Sequence, residues 1–182
     1  MDARLHHVQG EAEDLMSDLQ QILTEFAADR VALIERHEAS ARAVSHYDFN
    51  NTYQYVINRE ETHLSWLQNA LAEYGAVLPS AGANALPAPK APKVGKNAEA
   101  SAFRSILEDD AKSLGVFVET WRPRVDHLTH ARHRSMLNVI LGESMEHKRF
   151  FEQAAAGFED LLGRRTGGVE RVGAVLPTRW QE

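Results

Sequence analysis

Cysteine is absent from the 182 residues. That absence excludes disulfides, thiolate zinc sites, iron–sulfur clusters and cysteine nucleophiles together. Any bound metal would have to be held by histidine and carboxylate. Long apolar runs are missing too: no stretch approaches the roughly 20 apolar residues that span a bilayer, and the opening MDARLHHVQGEAEDLM carries no signal-peptide core. A cytoplasmic protein without a membrane partner is expected. Basic runs are short, Lys148-Arg149 and Arg164-Arg165 being the clearest, and the formal net charge is −6. No nucleic-acid partner is expected from that balance. Proline is scarce outside one window, since four of the six lie between Pro79 and Pro92.

What is present is helical periodicity. The hydrophobic content of 43% suits one soluble domain with a sizeable core. From about 11 to 42, Leu15, Leu19, Ile22, Phe26 and Leu33 recur at helical steps, which predicts one long amphipathic helix. A turn follows at 45–51, where Asp48 or Asn50 is placed to cap a second helix. That helix is expected to stop at Gly75, with Pro79 beyond it. Residues 75–97 are too rich in Pro, Ala and Gly to be helical and read either as a tether or as a crossover running the length of a bundle. A third helix is predicted over about 98–121, with Phe103, Leu107, Leu114 and Phe117 on one side and Pro123 ending it. A fourth is predicted over about 125–162, with Met136, Ile140, Phe150, Ala154, Phe158 and Leu161 in line. The expected fold is all-α: a four-helix bundle of two helical hairpins over 1–162, followed by a C-terminal tail at 163–182 whose Val175, Leu176 and Trp180 could dock a protein partner.

The second helix carries Glu60 and His63 one turn apart on the face of Tyr53, Val56, Ile57, Leu64, Leu67 and Leu71. An ionised carboxylate on a buried face has to be protonated, salt-bridged or bound to a cation. A Glu-x-x-His pair from each of two helices, with one carboxylate from each of the others, is how di-iron carboxylate sites are built. Antiparallel packing of the first hairpin brings residues 25–30 opposite Glu60, so Glu25 is the preferred ligand from the first helix and Asp29 the alternate. Glu108 precedes Glu143 by the same 35 residues that separate Glu25 from Glu60, which suggests an internal duplication. In the fourth helix Glu143 pairs with His147 as first choice or with Glu146, and Asp110 competes with Glu108 in the third. His127, His130 and His133 are three residues apart, a spacing that reads as a solvated face.

The run Glu60, His63, Leu67, Leu71, Gly75, Pro79 resembles the second helix of bacterioferritins, and HKRFF at 147–151 is similar to the fourth helix of rubrerythrins. The likeness covers about 11–162 and points to the ferritin-like superfamily. It implies a di-iron centre with Glu60 and Glu143 bridging, His63 and His147 binding one iron each, and Glu25 and Glu108 as terminal ligands. It further implies Fe(II) oxidation by O2 or peroxide. Manganese is an alternative metal, since His–carboxylate sites accept both, and a homo-oligomer is expected. Residue 61 is Glu where bacterioferritin has its haem methionine, so no haem is expected, and the lack of cysteine excludes a rubredoxin module. Two alternatives stand beside this oxidoreductase: a metal-free interaction or cargo protein recruited through the tail, and a di-iron oxygenase acting on an organic substrate.

Overall fold

The computed structural model describes residues 2–92 and 99–163, and side chains from residue 18 onward. Its elements are α1 (Asp2–Ala43), α2 (Tyr47–Ala72), α3 (Arg104–Asp126) and α4 (Ala131–Ala155), with 3-10 turns at Gly82–Asn84 and Ala100–Phe103. No strand occurs among the described residues, so the fold is all-α. None of the described helices is long and apolar enough to cross a membrane. The tail, apart from Gly163, and the helix-one residue Leu15 lie outside the side chains described.

Glycine ends two of the helices by the same device. Gly75 (φ 67°) follows α2 and Gly157 (φ 90°) follows α4. In each case the amide beyond the glycine bonds back five residues, Ala76 N to Leu71 O at 3.1 Å and Phe158 N to Gln153 O at 3.0 Å. This left-handed closure satisfies carbonyls that the helix leaves open. The stop at Gly75 is as expected, but α4 ends well short of 162 because Gly157 takes the left-handed conformation first. Phe158 consequently leaves the helical line and is 63% exposed.

Two further local expectations need correction. α3 does not stop at Pro123, which lies inside it. Proline there lacks the N–H that would bond the Glu119 carbonyl, yet the helix runs on through Arg124 to Asp126. The break comes at residues 127–130, where His127 Nδ1 donates to the Pro123 carbonyl at 2.6 Å. Neither Asp48 nor Asn50 caps α2, whose N-cap is His46 without a side-chain bond. Asn50 instead closes the preceding helix, its Nδ2 donating to the carbonyls of Ala41 and Val44 at 2.8 and 3.2 Å.

Cross-helix pairs fix the directions. His37 meets Glu60 and Arg30 meets His63, so α1 and α2 run antiparallel. Arg36 meets Asp110, Asp29 meets Trp121 and Glu25 meets Arg124, so α1 and α3 are antiparallel as well. α2 and α3 therefore point the same way. Asn84 and Pro87, in the Pro-rich connection, bond to Asp29 and Arg36 of α1 in rising order. The core is apolar at both ends of the bundle. Phe26 packs edge-on against Phe117 and Trp121, both with centroids 5.0 Å away, and Tyr53 lies against Phe151 at 4.7 Å. Burial of such rings is the main apolar contribution to the fold. Between these ends the core is ionic.

Candidate functional site

The apolar stripe of α1 is interrupted by charge. Leu23, Phe26, Leu33 and Val44 are buried, and Arg30, His37 and Ser40 occupy the helical steps between them with no exposure at all. α2 contributes Glu60 and His63, also fully buried, and α4 contributes Ser144 and His147. Helical periodicity thus delivers seven polar side chains to the interior of the bundle. Each must find a partner there or carry a desolvation cost of several kcal/mol, roughly, if charged.

Arg30 is the hub. Its Nη2 lies 3.3 Å from Glu60 Oε1 and 2.8 Å from His63 Nδ1, and its Nη1 donates to Ser144 Oγ at 3.1 Å. Because a guanidinium only donates, His63 Nδ1 is the acceptor and its Nε2–H donates to Glu143 Oε2 at 2.9 Å. Glu143 is held in turn by the fork of Arg59, from Nη2 to Oε1 at 2.7 Å and from Nε to Oε2 at 3.1 Å. His37 Nδ1 sits 2.8 Å from Glu60 Oε2. The rings of His63 and His147 stack with centroids 6.3 Å apart.

The electrostatics follow from these contacts. Burial opposes ionisation of Glu60, but His37 and Arg30 outweigh it and hold the carboxyl well below the usual carboxylate range. Burial also disfavours the charged form of His63, and the neighbouring Arg30 adds to this, so its pKa falls to about 4. Glu143 is lowered as well, because the bonds from Arg59 and His63 exceed the burial penalty. Near neutral pH, Arg30 and Arg59 thus face the ionised Glu60 and Glu143, two cations against two anions.

Only some of the ligand set expected from sequence converges. Glu60, His63, Glu143 and His147 meet at this level, the last buried with its Nδ1 3.8 Å from Glu60 Oε1. Glu25 lies elsewhere, half-exposed and bonded to Gln21 and Arg124. Glu108 and Glu146 are exposed. Asp29 accepts from Trp121 Nε1 at 2.7 Å and from Asn84 Nδ2 at 2.6 Å. Asp110 is buried in a second ionic pair, accepting from Tyr53 OH at 2.6 Å and from Arg36 Nε at 2.7 Å. The 35-residue correspondence of Glu25–Glu60 with Glu108–Glu143 therefore has no counterpart in the surroundings of the four residues.

These residues do not fit a metal pair. Among the described residues, no group of three or more His, Cys, Asp or Glu is arranged to hold a metal ion. The two carboxylates at the site are already neutralised by arginine, and two divalent cations would meet a fixed positive charge at contact distance. Arg30, His37, Arg59 and Ser144 were missed in the sequence reading. The signal lay in the seven-residue gap between Phe26 and Leu33, where the α1 stripe continues through Arg30.

The triad of histidines also differs from expectation. His133 is buried, and its Nδ1 lies 2.8 Å from His130 Nδ1, which also accepts from the His133 amide at the start of α4. His127 and His130 are exposed, as a solvated face requires. Comparison with known proteins gives no match to a family model, to a curated protein or to a solved structure.

Proposed function

We propose that this protein is a ferritin-like bundle, with its Pro-rich connection as the crossover between hairpins, in which a protein-borne cation stands in place of a metal pair. Its function is then that of a binding or interaction protein and not of an iron oxidase. The observation that carries this reading is Arg30: a fully buried guanidinium within 3.3 Å of Glu60 and 2.8 Å of His63, the two residues that most resemble metal ligands. A carboxylate-lined redox centre needs open coordination positions, and here they are closed by a side chain that never deprotonates. The docking role expected of the tail at 163–182 belongs to this reading, and all of it except Gly163 lies outside the described residues.

One observation favours the iron-dependent reading. Glu60 Oε1 and His147 Nδ1 are buried 3.8 Å apart, and neither has a hydrogen-bond partner among the described residues. Anaerobic loading with Fe(II), desalting and exposure to air decide between the two. The proposal expects less than about 0.1 iron per chain and no rise in near-ultraviolet absorbance. About two irons per chain, with the absorbance of an oxo-bridged ferric pair, would overturn it.

A further inference from the structure

A groove of about 460 Å³ lies between α1, α3 and the Pro-rich connection, apart from the Arg30–Glu60 cluster. Leu33 of α1, Leu86 of the connection and Val116 and Phe117 of α3 make its apolar walls, and Arg36 and Asp109 supply its polar edge. Such a volume is that of a small-ligand site, typically about 300–1,000 Å³.

Arg36 is 6% exposed and cannot move freely. Its Nε donates to Asp110 Oδ1 at 2.7 Å and its Nη1 to the Pro87 carbonyl. The remaining nitrogen, Nη2, has no hydrogen-bond partner among the described residues. Asp109 Oδ2 stands 4.0 Å from it, too far to accept, and the Asp109 side chain is 72% exposed. A buried donor without an acceptor costs about 1–3 kcal/mol. Swinging Arg36 out would break its pair with Asp110, whereas an oxygen entering the groove, from a ligand that displaces water, satisfies Nη2 with that pair intact.

The charges around the groove select the kind of oxygen. Arg36 and Lys112 in the lining are balanced by Asp29 and Asp109, and the buried Asp110 already pairs Arg36 from behind, which leaves no cationic excess to draw an anionic ligand. A neutral carbonyl meets the donor without needing that excess. Beside it, Asp109 offers an exposed acceptor. A primary carboxamide carries a carbonyl oxygen and a syn N–H on one edge and so matches a donor and an acceptor lying side by side.

We infer that this groove binds a small primary carboxamide with an apolar body, its carbonyl oxygen on Arg36 Nη2, its N–H on Asp109 and its chain against Leu33, Leu86, Val116 and Phe117. The site is independent of the central cluster, and the inference holds whether or not that cluster takes a metal.

The test is a methyl-resolved NMR titration of the full chain with octanamide and, separately, octanoate. Octanamide shifts the Leu33, Leu86 and Val116 methyls saturably and binds at least tenfold more tightly than octanoate. Val116→Trp, which fills the groove from a position 54% exposed, abolishes the shifts at Leu33 and Leu86 while the helical circular dichroism is retained. Asp109→Ala, on the surface, weakens octanamide at least threefold. Failure of octanamide to saturate, octanoate binding as tightly, or affinity unchanged in Asp109→Ala would each overturn the inference.

Discussion

Arg30 donates to a histidine that is neutral and faces a carboxylate that is ionised, and both states are set by the burial and charge around them. Removing the guanidinium leaves Glu60 with His37 and, 3.8 Å from its Oε1, His147. Arg30→Ala should therefore cost about 3–5 kcal/mol in urea unfolding, the range for a buried pair broken on one side. Arg30→Met combined with Glu60→Leu removes both charges and should restore most of that loss, since apolar replacement of a buried pair is often neutral or stabilising. A double variant as unstable as the single one would mean that the pair holds the fold by more than its charge. His63 adds a pH dependence. Its folded pKa is about 4, below the roughly 6.5 of an unfolded histidine, so the unfolded chain binds the extra proton between those values. Stability accordingly falls as pH drops from about 6.5 to 4, by roughly 3 kcal/mol from this residue. Unfolding free energy measured at half-unit steps should show that slope, and His63→Gln should flatten it.

Helices carry their own determinants, and these were the most legible part of the chain. Tyr53, Val56, Leu67 and Leu71 of α2 are buried as their spacing requires, and Glu60 and His63 are buried with them. Gly75 ends α2 as its sequence context indicates. Pro123 misleads because a proline removes one backbone hydrogen bond without obliging the helix to end at that residue, and α3 continues to Asp126. α4 is overextended in the sequence reading because Phe158 and Leu161 keep the helical period past the glycine that stops the backbone. Gly142 gives a test at this scale. It lies in α4 without a positive φ, and a Cβ added there meets nothing within 4 Å. Gly142→Ala should then stabilise the protein by about 0.8–1 kcal/mol, the propensity difference alone. Thermal unfolding should shift upward by about 2–4 °C. An unchanged midpoint would show that the solvent-facing side of α4 contributes nothing to the transition.

For the whole molecule, the question is what neutralises the middle of the bundle. The demand was legible: a Glu and a His on a buried face require a cation or a donor, and residues 25–30 of α1 face them. Which residue answers it was not, because Glu25, Asp29 and Arg30 lie within about one and a half turns and only the rotation of α1 decides which points inward. The structure turns Arg30 in, leaves Glu25 to Arg124 and gives Asp29 to Trp121 and Asn84. Asp110, expected as a metal-ligand alternate, is likewise paired by Arg36. Both ionic layers are thus closed by arginines of α1, one to α2 and one to α3. Ligand linkage provides the most direct test. A metal that binds the folded state stabilises it by about 2.7 kcal/mol at a hundredfold excess over its dissociation constant. Thermal unfolding of the wild-type protein under anaerobic ferrous iron, with a chelator-treated control, should give midpoints within about 1 °C of one another. A rise of several degrees that the chelator reverses would contradict the account and place iron where Arg30 is proposed to serve.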